Sequence, residues 1–510
     1  MKKKKLERYL LKMKEFSIID IQNLINNREI SAKKLTQKYI TRINEIDKQG
    51  PQLNSVIEFN KDAIKIAENL DLGRKDEKIH RPLYGIPIII KDNINTADNM
   101  QTTAGSLAFK GHIALEDAFI VKKLRDAGAI ILAKANLSEW ANFRSIRSTS
   151  GWSSRGGQTI NPYSLDRNPC GSSSGSAVAV AANLCSVAIG TETDGSIICP
   201  SHINSIIGIK PTIGLVSRTG IIPISHNQDT AGVMARTVQD AATLLSVIAG
   251  KDPDDPSTIK HDYSIPSDYT KFLDSNGLKG ARIGVARNYF GNNDLVDKII
   301  ERAIEKMNKL GAEIIDPVEI KTVNDLRDPE FQVLLYDFKN DLNNYLTKYG
   351  PINSLKNLDD IIKYNNEHQK NVMPYFGQEL FIMANEKGPI TNSEYKEALK
   401  KCHRLAREEG IDTILNEQKL DAIVAPSGGV AWLIDYINGD HSTGGSSSVA
   451  AVAGYPNITV PAGYVYGLPV GISFFSGAFQ EPKLLKIAYA FEQATNIRKP
   501  PKFLSKVEIK

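Results

Sequence analysis

Residues 171–197 pack four different textures into one passage: GSSSGSA (171–177), AVAVAAN (177–183), SVAIG (186–190) and TETDGSI (191–197). A Gly/Ser run by itself reads as solvated coil joining domains. A connector has no use for the alanine- and valine-rich run that follows, whereas a buried helix does. The Ser/Gly run is thus the approach to a helix N-terminus, where unpaired backbone N–H groups and the helix dipole favour an acceptor or a negative charge. Small residues let that backbone come close to a ligand.

The flanking sequence supplies layers to enclose this passage. EDAFIVKKLRDAG (116–128) has the spacing of an amphipathic helix stopped by Gly128, and AIILAK (129–134) follows as a buried strand. The same order returns in LVDKIIERAIEKMNKLG and AEIID (295–316), and Ser31 is placed to cap an earlier helix reaching Asp47. Further strands are expected at 86–90, 186–190, 282–286, 421–425, 457–461 and 469–475. The fold class is α/β: a single large mixed twisted β-sheet covered by α-helices on both faces. One domain spans 1–510, with an N-terminal helical segment (1–80), a core (81–250) and C-terminal strands and helix (421–510). Residues 330–420, rich in Lys, Asn, Glu and Tyr, read as a helical insertion that shapes a substrate entrance. DPDDPS (252–257) reads as a surface loop.

With 41% hydrophobic and 24% charged residues over 510 positions, the chain has the makeup of a folded soluble protein with a large core. Its formal charge of +5 owes most to Lys2–Lys5, read as a solvated terminus. No comparable basic cluster recurs, so nucleic acid is not an expected partner. The longest weakly polar stretch, 177–190, is broken by Asn183 and Ser186 and is too short for a bilayer core of ~30 Å. LERYLLKMKEF, behind the lysines, is too charged for a secretion signal. No membrane association and a cytoplasmic location are expected. Four cysteines without a CxxC pair are expected to be reduced thiols rather than a disulfide framework or a zinc site.

Two chemistries use a Ser/Gly turn at a helix start. Phosphate cradling is disfavoured, because the GK[ST] ending is missing. Acyl transfer needs a serine nucleophile and N–H donors for the oxyanion, and TETDGSI offers Ser196 behind Gly195. The serine needs a base. There is no GxSxG elbow, and His202 and His226, the nearest of eight histidines, read as structural. Lys91 closes the strand IPIII at a sheet's carboxyl edge. At a pKa of about 10.4 almost none of it is neutral at pH 7, so burial must shift it downward.

GIPIIIKDNI, CGSSSGSAVAVAA, GTETDGSIICP and KPTIGLVSRTGIIPISHNQDTAG (210–232) together resemble the amidase signature family. The likeness is dense from Tyr84 to Arg236 and thinner through GYPNITVPAG and GLPVGISF. It implies a Ser-Ser-Lys triad with Ser196 as nucleophile, Ser172 on a cis peptide bond as relay, and Lys91 as base. It also implies an oxyanion hole from the backbone N–H groups of Thr193, Asp194, Gly195 and Ser196, and no metal or organic cofactor. The implied reaction is amide hydrolysis through an acyl-enzyme, on a small-molecule or peptide amide.

Many members of that family carry two glycines before the nucleophile and an arginine two residues after it. Here those positions are Asp194, Gly195 and Ile198. TETDGSI, with GWSSRGGQ (151–158) upstream, is closer to amidases acting on C-terminal peptide amides. The A subunit of a tRNA-dependent glutamine transamidase and an inactive ligand- or protein-binding relative are the competing readings. A second serine tract, GGSSS (444–448), has no TETDGS-like partner and is assigned to packing near the C-terminal strands. Cys170 and Cys199, on either side of the site, read as small core thiols.

Overall fold

The computed structural model describes residues 14–73, 81–350 and 352–509. The Lys2–Lys5 run lies outside the described residues. Thirteen strands form in chain order. They are β1 (Val56–Phe59), β2 (Pro87–Lys91), β3 (Ile130–Ala135), β4 (Trp152–Ser153), β5 (Gly157–Gln158), β6 (Val187–Glu192), β7 (Ile207–Lys210), β8 (Thr230–Ala235), β9 (Arg282–Ala286), β10 (Glu313–Val318), β11 (Ala422–Pro426), β12 (Asn457–Val465) and β13 (Leu468–Phe475). Eleven of them make one sheet in the order β1-β3-β2-β6-β8-β7-β12-β13-β11-β9-β10, with β4 and β5 a separate pair.

The sheet is mixed. β2 runs parallel to both β3 and β6, while β6 and β7 are each antiparallel to β8. Alternate side chains of a strand point to opposite faces, and every residue of β2, β3 and β6 is buried, so both faces are covered there. The helix Ser174–Ala181 packs against β2, β3, β6 and β8 and is itself buried at every position. Among the described residues no helix is long and apolar enough to cross a membrane.

Each strand expected from the sequence forms within a few residues of its expected place. β1, β7, β8 and the β4–β5 pair have no counterpart among the expected strands. β1 and β7 span four residues and β4 and β5 two each, while β8 spans six and starts within the 210–232 motif. Ser31 caps the helix Ala32–Arg42 by accepting from the Lys34 N–H, and that helix continues as a π-helical stretch over Ile43–Lys48. Between 327 and 417 the described residues carry helices and no named strand, led by Arg327–Tyr349. Phe338, Leu342 and Phe381 from this insertion share a cluster with Phe109 and Trp140. The DPDDPS stretch is a turn as expected, but Asp252 and Asp255 are buried in it, and the Arg218 guanidinium pairs with Asp255 at 2.7 Å.

Gly175 sets how close the helix Ser174–Ala181 comes to the sheet. A Cβ there would meet the carbonyl oxygens of Ser55 and Asn136 at 2.2 and 2.4 Å. Both obstacles are backbone, so the helix itself must move. Gly175→Ala is expected to cost about 3 kcal/mol, read as a lower urea midpoint; an unchanged midpoint would show that this contact gives way freely.

Candidate active site

A helix that leads directly into a strand runs back along it, so the start of Ser174–Ala181 and the end of β6 share one edge of the sheet. β2 lies beside β6 and ends at the same edge with Lys91. Hydrogen bonds tie the three segments. Ser173 Oγ donates to the Thr191 carbonyl (2.9 Å) and accepts from the Thr191 N–H (3.1 Å), and the Ser173 N–H donates to the Ser196 carbonyl (3.1 Å). The Gly171–Ser172 peptide bond is cis.

Lys91 has no exposed surface. Its Nζ lies 2.7 Å from Ser172 Oγ, 2.8 Å from Thr191 Oγ1 and 3.1 Å from the Thr191 carbonyl. An ammonium donates to all three. A neutral amine has two hydrogens for Thr191 and keeps a lone pair for the Ser172 hydroxyl. Burial pulls Lys91 down to about 7, against the opposing charges of Asp229 and Glu192. Asn93 Nδ2 donates to Thr191 Oγ1 (3.0 Å) and holds that hydroxyl in place.

The turn after β6 is fastened at both ends. Thr193 Oγ1 donates to Asp229 (2.6 Å), and Asp229 also accepts the N–H groups of Ile224 and Ser225. Burial lifts Asp229 to about 6, against those three donors. Beyond the turn, Glu192 accepts the N–H groups of Ile197 (2.7 Å) and Ile198 (2.9 Å). Gly195 takes φ +77°, a conformation side-chain-bearing residues rarely adopt. The N–H groups of Asp194, Gly195 and Ser196 donate to no acceptor among the described residues. Beside them opens a cavity of about 390 Å³, lined among others by Gly171, Asp194, Gly195, His202, Trp432 and Ser447.

Two sequence expectations are corrected. Cys170 and Cys199 are joined in a disulfide, so they are not free thiols; Cys185 and Cys402 are free and buried. Cys170 precedes Ser172 by two positions and Cys199 follows Ser196 by three, so bringing the serine motifs together brings the sulfurs together too. The sequence carries that signal in the placement of the serine motifs, not in a CxxC pair. The GGSSS tract, assigned to packing near the C-terminal strands, instead reaches the turn after β6. Ser447 and Ser448 donate to the Asp194 carboxylate at 2.7 and 2.6 Å, and of the three serines only Ser446 bonds a strand, at the Pro426 carbonyl of β11.

The described histidines stay outside this network. His226 bonds Asp341 (2.9 Å) and has Asp337 at 3.6 Å; burial works against its charge, yet these carboxylates raise its pKa. Among the described residues these three form the one group with metal-ligand spacing. His226 pairs with Asp341, and Asp337, fully buried, accepts from Ser225, Asn227 and Tyr395. His202 lines the cavity, but burial holds it at about 3 and hence neutral.

The sequence and the fold have relatives among known proteins. A family profile described as Amidase matches residues 34–485. A probable amidase of Arabidopsis thaliana is 42% identical over 504 residues, covering 97% of this chain and 92% of that protein. The X-ray structure of native peptide amidase from Stenotrophomonas maltophilia matches with a TM-score of 0.91 at 49% identity, covering 96% of this chain and 99% of that one. The A subunit of the glutamyl-tRNA(Gln) amidotransferase of Thermoanaerobacter pseudethanolicus is 33% identical over 507 residues, covering 96% of this chain and 99% of that protein.

Two stability measurements probe the site without assuming its chemistry. With Lys91 at about 7 in the fold and near ~10.4 when unfolded, the unfolded chain holds the extra proton between those values. Stability therefore rises with pH across that window. Lys91→Met removes this titration, so its stability relative to the parent is expected to be more favourable at pH 7 than at pH 10 by roughly 3 kcal/mol. Urea melts across that range read the difference, and a relative stability that does not fall with pH would contradict the shift. Replacing both Cys170 and Cys199 by serine is expected to cost about 2–4 kcal/mol, and equal stability in urea with and without the bond would refute a structural role for it.

Proposed function

Because this chain belongs to the amidase family and is an amide-hydrolysing enzyme, we propose that Ser196 is its nucleophile, Ser172 its proton relay and Lys91 its base. The observation that carries this reading is the fully buried Lys91 amine 2.7 Å from Ser172 Oγ, at a pKa matched to neutral pH.

Ser196 Oγ attacks the amide carbonyl carbon and passes its proton to Ser172, whose own proton moves to the lone pair of neutral Lys91. The carbonyl oxygen, now an anion, takes the N–H groups of Thr193, Asp194, Gly195 and Ser196 as donors. As the C–N bond breaks, Ser172 gives a proton to the leaving nitrogen and is resupplied by the Lys91 ammonium. Ammonia or an amine departs and an ester to Ser196 remains. Water then attacks that ester by the same relay, releasing the carboxylic acid and restoring Ser196. These side chains cover every proton transfer.

We assign C-terminal peptide amides as the substrate class. The support is the TETDGSI turn and the 49% identity to peptide amidase. The transamidase reading is weaker, since the A subunit of such an enzyme is 33% identical. The cytoplasmic location expected from composition stands against the Cys170–Cys199 bond, which an oxidising compartment favours.

Ser196→Ala is expected to abolish turnover of a panel of peptide, aliphatic and aryl amides while leaving the melting temperature intact; retained turnover would remove Ser196 from the mechanism. Lys91→Ala is expected to lose most activity, His226→Ala little, and the reverse order would make histidine the base. The wild-type kcat/KM should rise through an acid limb near pH 7 as Lys91 loses its proton.

A further inference from the structure

The mechanism uses the Asp194 backbone and leaves its side chain without a task. That side chain is unusual for its place: a carboxylate on the turn whose N–H groups face a developing negative charge. Its two oxygens are each taken by a hydroxyl, Oδ1 by Ser447 (2.7 Å) and Oδ2 by Ser448 (2.6 Å). These serines come from the other end of the chain, at the start of the helix Ser448–Ala453, behind β11 in sequence.

The contact is close enough to set the shape of the turn. A Cβ on Gly195 would stand 2.9 Å from Ser447 Oγ, so the serine hydroxyl lies directly against the glycine that gives the turn its left-handed residue. On the preceding residue the pull is elsewhere: Thr193 is held by Asp229, and its carbonyl accepts from Gln228 (3.4 Å), which is bonded in turn to Glu330 of the helical insertion (2.9 Å). Asp194 therefore connects the turn to the C-terminal segment, and Thr193 connects it to the other wall. Between these two anchors the N–H groups of Asp194, Gly195 and Ser196 have no acceptor among the described residues, and Asp194 and Gly195 line the cavity.

We propose that Asp194 is a positioning residue for amide hydrolysis, its carboxylate clamped by Ser447 and Ser448 so that the oxyanion donors are aimed into the cavity before substrate arrives. The inference rests on the oxyanion turn assigned under the proposed function. Donors fixed in advance act on the transition state more than on the bound substrate. Loosening them lowers kcat and leaves KM nearly unchanged. A contact that only supported the fold would change the melting temperature without that split.

The test compares Ser447→Ala/Ser448→Ala, Ser448→Ala and Ser448→Thr with the parent enzyme on a peptide amide. The double variant is expected to lose about tenfold or more in kcat, on the scale of a weakened oxyanion donor, with KM within threefold. Its affinity for a peptidyl aldehyde, which forms a tetrahedral adduct on serine, should fall in parallel with kcat. Ser448→Thr, which keeps the hydroxyl, should restore most of what Ser448→Ala loses. Adding Asp194→Ala to the double variant should cost little more, because the clamp is already open. A smaller kcat loss, a loss carried by KM, or no rescue by threonine overturns the proposal. Should the double variant not fold, Ser448→Ala against Ser448→Thr decides the same question. Ser196→Ala runs alongside: activity surviving there sinks the oxyanion assignment itself, whereas a dead Ser196→Ala beside fully active serine variants sinks only the clamp.

Discussion

A primary amine with no exposed surface is the constraint around which this site is built. Lys91 has been taken out of water at the carboxyl edge of the sheet, and the ammonium form bears the penalty of that burial. The penalty makes the amine a base near neutral pH. It also requires polar partners at hydrogen-bonding distance, since a buried donor left unpaired is costly. Thr191 and Ser172 meet that need, and both belong to segments that the same helix–strand unit delivers. Stability and the proposed reactivity therefore draw on one set of contacts: whatever holds Thr191 and Ser172 near the amine also prepares the relay proposed for it.

Those contacts demand close approach, which explains the small residues. The helix behind Ser172 must lie against β3 and β6 with nothing between. Gly175 admits the Ser55 and Asn136 carbonyls, and a Cβ on Gly190 of β6 would stand 2.7 Å from Ser173 Oγ. A larger side chain at either place would push the Ser172 turn away from Lys91. The Gly/Ser run is thus packing material before it is chemistry, and its first two serines divide the work: Ser173 pins the turn to Thr191, leaving Ser172 for the amine.

This division shows what was readable in the sequence and what was not. The layering was legible because amphipathic helices ending at glycine and followed by apolar runs have a local signature; the strands over 86–90, 282–286 and 469–475 form as expected. Lys91, Ser172 and the 191–197 turn were identified as parts of one site through motif resemblance, and the fold brings their segments to one edge. Contacts between distant segments left no local trace. The serines at 447 and 448 meet Asp194 across some 250 positions of sequence, and a Ser-rich tract has the same composition whether it packs or clamps. The disulfide follows only at second hand: Cys170 and Cys199 carry no pairing signal of their own and meet because the two serine motifs beside them converge. β7 is only four residues long, and β8 opens on Thr-Ala-Gly, so neither presents a long apolar run of its own.

The turn that carries Ser196 is consequently held by parts of the chain that have little else in common. Asp229 holds Thr193, Ser447 and Ser448 hold Asp194, Glu192 holds the N–H groups of Ile197 and Ile198, and the Cys170–Cys199 bond joins the approach to Ser172 with the helix beyond Ser196. Each tether takes a side chain or a flanking backbone group and leaves the N–H groups of Asp194, Gly195 and Ser196 without an acceptor among the described residues. Without such tethers a turn of this kind can close onto its own carbonyls. The surrounding tethers prevent that closure. Donors that cannot collapse onto the protein remain available to an oxygen that becomes negative only during reaction, which is the preorganisation an oxyanion site requires.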